Sequence, residues 1–451
     1  MRDLKNKQVV VLGLDPSGLA ARDFLQAAGA KVSAFPVRQG ITGSMERKSP
    51  LPEDPELVIL SGQTARNTPE VQPYLEKGIS VWSDLELASQ YFFCLSIALA
   101  GTNGKTTTDE LIQGILLNAQ RKCLKAGGSG TPVCEVVERT RELDFISLEL
   151  NAFQLESIEH YRPAVAVILN LKPDFMDRYE QMANYVRTVA RVFENQQAFD
   201  WLIVQSEALA HLHSLGIKPR GKVITFSARN RHADIWLDHG LLVSRIPGWE
   251  GPLLNVDQVR LKGPHNAENL MAALAVGRVL RVPLDIMVDA LREHQPGPHR
   301  CERVAEHQGI IFVNDSKAMN VDAVQKAIEA MPAGTGGEPN LWLIAGGIDK
   351  GLDFHDLGPL LAQRVKGAFL LGGSREKLRS AWSLFTPCVL VESLLEAVSR
   401  AAKSAAAGDV VLLSPGCSSL DMFQSYQQRG EMFREAVEKW AEQPVGALDA
   451  S

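Results

Sequence analysis

The stretch Cys94–Asn118 constrains this chain more than any other. An apolar run, CLSIALA (Cys94–Ala100), leads into AGTNGKTTT (Ala100–Thr108) and then into the helical pattern DELIQGILL (Asp109–Leu117). Strand, glycine loop and helix in that order make a cradle for a polyphosphate, because loop N–H groups and a helix N-terminus point at the same anion. Lys105 would reach the terminal phosphates and Thr106 would hold Mg²⁺. Leu99 stands where the longer G-x-x-x-x-G-K-[ST] pattern has its first glycine, so the chain carries only the shorter G-T-N-G-K-T form.

The rest of the chain repeats the strand-then-helix rhythm. VVVLG (Val9–Gly13), a helix over Ser17–Ala28 and KVSAF (Lys31–Phe35) read as a βαβ unit. A second series contains DFISLEL (Asp144–Leu150), VAVILN (Val165–Asn170) and WLIVQ (Trp201–Gln205), apolar enough to be buried on both faces. After the turn-rich HQPGPHR (His294–Arg300) come IIFVND (Ile310–Asp315), LWLIAGG (Leu341–Gly347), GAFLLGG (Gly367–Gly373) and DVVLLSPG (Asp409–Gly416). A helix is expected near Ser393–Ala407 and a surface loop over Pro332–Pro339. The pattern predicts an α/β protein of three domains, residues 1–92, 93–297 and 298–451. A length of 451 residues suits about three domains at roughly 100 to 200 residues each.

Charge narrows the partners. With 47 basic against 53 acidic side chains the chain lacks the basic footprint of a nucleic-acid binder, so small molecules are expected. The six cysteines form no C-x-x-C pair and are too sparse for a disulfide scaffold, which predicts reduced thiols in a cytoplasmic protein. The start, MRDLKNKQVVVLG, lacks a secretory pattern, and no run of about 18 apolar residues predicts a membrane span.

Several polar residues sit where ligands gather in open α/β sheets. Glu149 ends a buried-looking strand and could serve the metal, or could be a solvated strand-end carboxylate. NDSKAMN (Asn314–Asn320) puts Asp315 and Lys317 at a strand-to-helix turn, suited to a ribose hydroxyl and to phosphate charge. HNAEN (His265–Asn269) and PHR (Pro298–Arg300) are weaker signals, since His and Asn also cap helices. GLDPSG (Gly13–Gly18) resembles a dinucleotide fingerprint, but Asp15 replaces the glycine that lets backbone approach a pyrophosphate. Hydride chemistry is disfavoured there; a UDP-binding or purely structural turn fits better.

In this order and over nearly the whole chain, the motifs resemble the Mur ligases, in particular the D-glutamate-adding branch. The resemblance rests on GTNGKTTT, ELNAFQLE (Glu149–Glu156), LNLKPDFMDRY (Leu169–Tyr179), HNAEN, PGPHRCE (Pro296–Glu302), NDSKAMN, GGIDKG (Gly346–Gly351) and SPGCSSLDMFQSYQQRGEMF (Ser414–Phe433). It implies a Rossmann-like N-terminal domain for a UDP-substrate, a central P-loop ATPase-like domain and a Rossmann-like C-terminal domain for the amino acid. It also implies a monomeric ADP-forming amide ligase that takes ATP, Mg²⁺, UDP-N-acetylmuramoyl-L-alanine and glutamate through an acyl phosphate. By position, Gly101, Thr102, Asn103, Gly104, Lys105, Thr106 and Thr107 fit the ATP phosphates, and Thr106 and Glu149 the metal. Asn269, Arg300, Asp315 and Lys317 fit an ATP site assembled between the central and C-terminal domains. Lys350, Ser419, Leu420 and Tyr426 fit the glutamate pocket, with Gln154 on the acceptor side. Lys105, His299 and Lys317 are the expected catalytic group.

Some positions depart from the family pattern. Phe175 replaces the family's metal-binding His, and Val189 its carbamylated Lys, so both supports of a second Mg²⁺ are missing. Gly127–Pro132 is one residue short, Asn151 and Ala152 replace two Ser, Leu60–Gln63 lacks a Pro, Met319 replaces a Thr, and Pro36 an Asp. Two expectations follow: a ligase in which the Lys172 ammonium stands in for the second cation, or a paralogue that keeps ATP binding with an altered acceptor or impaired catalysis.

Overall fold

A computed structural model describes residues 3–37, 50–128 and 130–442. Arg38–Gly40 of the first-domain loop and Ser129 of the short glycine loop lie outside these residues. The architecture is α/β with three sheets. The first is parallel throughout, in the order Lys31–Phe35, Gln8–Leu12, Leu57–Leu60, Val81–Ser83.

The second sheet places Leu95–Ala100 between Val165–Ile168 and Phe145–Glu149, with Cys123–Gly127 at that edge. On its other side run Trp201–Gln205, Lys222–Ser227 and Ile235–Asp238, all parallel, and then an antiparallel pair, Leu241–Ser244 and Gly251–Asn255. Strand order reverses beside Leu95–Ala100, and ligands of open α/β sheets bind at the carboxyl ends of strands where that happens. The loop that leaves this strand is Gly101–Gly104.

In the third sheet the parallel strands Ile310–Asn314, Val410–Leu413 and Leu341–Gly346 are direct neighbours, flanked by Val365–Leu371 and Cys388–Leu390; Glu302–His307 pairs antiparallel at the far edge. Because the three neighbours point the same way, NDSKAMN, SPGCSS and GGIDKG leave the sheet from one end.

Two compact units are formed, Met1–Leu171 with Ala183–His294, and Lys172–Met182 with Gln295–Ser451. The first contains the first two sheets. In it the middle of helix Pro264–Val279, residues 270–276, is apolar all round, with Leu270, Met271 and Leu274 fully covered, and packs in one core with Ile112 and Ile115 of helix Lys105–Asn118. A helix without a polar face has to be enclosed. In the second unit the central strands are covered on both faces, by Leu361, Leu378 and Trp382 on one and Val398, Phe433 and Trp440 on the other. No helix among the described residues is long and apolar enough to cross a membrane.

One buried polar pair carries a pH signature. Asp109 is 1% exposed and accepts a hydrogen bond from the Ser147 hydroxyl on the neighbouring strand. Burial pushes its carboxyl up to about 7. A carboxyl that binds its proton more tightly when folded stabilises fully below the free value of about 4, and that contribution is lost as pH rises through its folded value. Asp109→Asn should therefore flatten the fall in the urea midpoint between pH 5 and pH 8.5; a fall as steep as the parent's would refute the assignment.

Candidate active site

The glycine loop is held from below. Thr102 N–H donates to the Asn170 carbonyl at 3.0 Å, Asn103 N–H to Asn170 Oδ1 at 2.9 Å, and Asn170 Nδ2 returns to the Asn103 carbonyl at 2.9 Å. Gly101 and Gly104 have φ of +114° and +91°, and a Cβ on Gly104 would lie 2.3 Å from Asn269 Oδ1. Asn269 thus fills the space that the missing side chain leaves, and Thr108 donates to the same oxygen at 3.3 Å.

Lys105 opens the helix and donates to the carbonyls of Gly101 at 2.6 Å and Thr102 at 3.0 Å. Thr106 Oγ1 donates to Glu149 Oε2 at 2.8 Å, and Thr107 is half-buried in the same turn. Leu99 and Glu149 are register partners, which is why the strand-end carboxylate reaches the first turn of the helix. These are hard oxygen donors, and no group of three or more His, Cys, Asp or Glu that could hold a metal occurs among the described residues. Two protein oxygens suit Mg²⁺, which keeps several waters and otherwise takes phosphate oxygens. Val189 is 2% exposed within its helix and offers no donor.

The first-domain turn is closed by its own acid. Asp15 Oδ1 accepts from the N–H groups of Ser17 at 2.9 Å and Gly18 at 3.2 Å, and Oδ2 from the Ser61 hydroxyl at 2.6 Å. The carboxylate occupies the helix N-terminus where a diphosphate would otherwise be received. Gln154 is likewise committed: it forms a capping box with Asn151 and donates Nε2 to both oxygens of Asp84, at 3.0 and 3.2 Å. Burial raises the Asp84 carboxyl to about 6. Asn151 also donates to the Gly62 carbonyl at 2.7 Å, so Asn151 and Gln154 tie the first sheet to the second.

In the second unit the three strand-end loops meet. Ile348 and Ser418 exchange backbone hydrogen bonds at 2.9 and 3.0 Å, joining the Lys350 loop to the Ser419 loop. Asp315 is buried, accepting from Ser414 Oγ at 2.9 Å and Cys301 N–H at 3.2 Å, and burial raises its carboxyl to about 7. Lys317 sits 5.3 Å from the Tyr426 ring centre, and its N–H donates to the His299 carbonyl at 3.2 Å. Ser419 is buried and Leu420 is exposed. Arg300 lies half-buried between His299 and Cys301, whose φ values are +63° and +47°.

His299 is 3% exposed. Its Nδ1 faces Asn314 Nδ2 at 3.0 Å and its Nε2 lies 3.4 Å from Glu431, while burial lowers its pKa. The ring is thus held by Asn314 and Glu431, while the His299 carbonyl accepts the Lys317 N–H. Residue reading missed Arg429, which is 1% exposed and donates to Ser316 Oγ at 3.0 Å, the Ser316 carbonyl at 2.7 Å and the Cys417 carbonyl at 3.1 Å. Its signal was an Arg on the face of a helix that otherwise turns Gly430, Phe433, Ala436, Val437 and Trp440 inward. Lys350 forms an ion pair with Asp174 at 3.0 Å, and Lys172 is exposed.

The chain is similar to known proteins over nearly its whole length. Residues 99–277 match the Mur ligase middle domain, and residues 299–417 the Mur ligase glutamate ligase domain. The UDP-N-acetylmuramoylalanine–D-glutamate ligase of Acidobacterium capsulatum is 36% identical, covering 96% of this chain and 97% of its own. That of Desulfitobacterium hafniense strain DSM 10664 / DCB-2 is 34% identical over 98% and 100%. Among solved structures, the MurF ligase of Thermotoga maritima in complex with ADP superposes with a TM-score of 0.62 at 17% identity, over 97% of this chain and all of that one. With two domain models and near full-length relatives in agreement, the chain belongs to the Mur ligase family.

Proposed function

We propose that the chain is an ATP-dependent amide ligase adding D-glutamate to UDP-N-acetylmuramoyl-L-alanine, working with Mg²⁺ as a cytoplasmic monomer. The reading is carried by the convergence of Lys105, Thr106 and Glu149 at the switch point of the second sheet, in a chain similar over nearly its full length to D-glutamate ligases. A carboxylate cannot expel oxide, so the γ-phosphoryl group of ATP is first moved to the acceptor carboxylate, giving an acyl phosphate and ADP. The glutamate amine then attacks the acyl carbon, the bond to phosphate oxygen breaks, and the nitrogen gives up its extra proton.

Mg²⁺ held by Thr106 and Glu149 would offset charge as two anions approach. Lys105 supplies fixed positive charge beside the phosphates, and the residues Gly101–Thr107 form the loop and helix start assigned to them, with Thr102 and Asn103 anchored through their N–H groups to Asn170. Asn269 shapes that loop, and by position in the sequence Asp315 is assigned to the ribose and Arg300 and Lys317 to phosphate. Lys350 and Ser419 are assigned to the glutamate side-chain carboxylate, with Leu420 and Tyr426 beside them. Residues 1–92 are assigned to the UDP end, 93–297 to the phosphates and 298–451 to the amino acid. Since Asp15 already fills the helix N-terminus, the acceptor's diphosphate takes other donors.

The test is phosphate release from ATP with the muramoyl acceptor and either D- or L-glutamate. Release that requires both the acceptor and the D-isomer is expected. Nucleotide binding without amino-acid-dependent turnover would refute ligation and leave the fold standing.

A further inference from the structure

The segment Asp174–Asp177 wraps around one side chain of the second unit, Lys350. Its ammonium lies 3.0 Å from Asp174 Oδ1 and 4.0 Å from the centre of the Phe175 ring. Both partners of the ion pair are largely enclosed, at 13% and 11% side-chain exposure. Asp174 Oδ1 also accepts the Phe175 N–H at 3.1 Å, and Asp177 N–H donates to the Lys350 carbonyl at 3.0 Å. The two segments approach so closely that a Cβ on Gly351 would stand 2.4 Å from Asp177 N.

Phe175 has φ +54° and ψ +39°, a left-handed backbone that is uncommon for a bulky residue. Such a conformation persists where the surroundings over-determine it, and it clusters at functional sites. Here it turns the ring face to the ammonium. A cation over a ring face, partly shielded from water, is held appreciably more firmly than one in solvent.

We propose that Phe175 and Asp174 are positioning residues for Lys350, together aiming its ammonium at the side-chain carboxylate of the incoming glutamate. An aromatic ring at residue 175 cannot ligate a metal, but it can grip a cation. Asp174 takes one N–H of the ammonium and Phe175 covers a face, so the remaining donors are directed rather than free to rotate. A lysine fixed in this way meets an anion with less ordering left to do. The inference deepens the ligase reading and rests on its placement of glutamate at Lys350.

Phe175→Leu should raise the KM for D-glutamate about tenfold, with kcat and the KM for ATP within about twofold of the parent, and Phe175→Tyr should restore it. Independently of activity, the side-chain methylene resonances of Lys350, assigned with Lys350→Arg in isotope-labelled protein, should be shifted upfield by the ring and return on Phe175→Leu. An unchanged glutamate KM, or a loss of kcat that parallels a lower Tm, would overturn the positioning role. So would Lys350 resonances that ignore Phe175. If the parent shows no D-glutamate-dependent phosphate release, the ligase reading fails while the resonances still report on the contact.

Discussion

Lys105→Met is expected to lower amino-acid-dependent phosphate release by about 10²- to 10³-fold, the usual effect of removing one fixed charge from a developing anion. The side chain starts the helix Lys105–Asn118 and folds back on the carbonyls of Gly101 and Thr102. Its ammonium is therefore held inside the glycine loop proposed to take the phosphates. Two hydrogen bonds to carbonyls are lost in the variant, a cost of about 1–2 kcal/mol in stability. Circular dichroism and the thermal midpoint should stay close to the parent's while turnover collapses. Lys105→Arg keeps the charge, but its planar fork does not fit a place shaped for a point charge, and at least a tenfold loss is expected there too. Turnover of Lys105→Met within about threefold of the parent would exclude the loop from catalysis.

Arg429→Met should have the largest effect on folding, roughly 3–5 kcal/mol in the stability of the second unit. Burial holds the guanidinium down to about 10, still protonated at neutral pH, and each of its bonds goes to an otherwise enclosed partner. Methionine fills similar volume but leaves the carbonyls of Ser316 and Cys417 without a donor. Ser316 lies beside Lys317, and Cys417 is two residues before Ser419, so the two loops that Arg429 joins loosen together. Urea denaturation followed by Trp fluorescence reads the effect, since Trp342, Trp382 and Trp440 all pack in this unit. Arg429→Lys replaces a fork with a single ammonium and should recover less than half of the loss. A variant within about 1 kcal/mol of the parent would remove Arg429 from its place as the tie between the loops.

Most strands were legible as short apolar runs, since a parallel strand covered on both faces has little choice of residue. Val165–Ile168, Trp201–Gln205 and Ile310–Asn314 fall within a residue or two of their sequence reading. The helix at Ser393 begins one residue later because Ser393 caps it, accepting from Glu396 N–H. The pair Leu241–Ser244 and Gly251–Asn255 was not foreseen: its members are short, and one contains Pro252, which argues against a strand in isolation. At the site, Lys105, Thr106 and Glu149 announce themselves because glycine spacing and strand ends are local. Asp15 was visible as a departure, yet only the fold reveals that its carboxylate occupies the helix end. Arg429, Asp109 and Asp174 were invisible for another reason. Their partners are 113, 38 and 176 residues away, and nothing in a local window marks a polar residue whose complement is supplied by another loop.

The second unit is not a continuous piece of chain. Lys172–Met182 belongs to it, and Met176 packs against its core, although residues 183–294 of the first unit intervene before it resumes at Gln295. Recombination at a single breakpoint near residue 294 would therefore transplant a module without Asp174 and Phe175 and with an uncovered patch where Met176 packs. Moving the whole second unit between relatives requires three breakpoints, at the two ends of Lys172–Met182 and before Gln295, and the shorter insert carries the residues that hold Lys350.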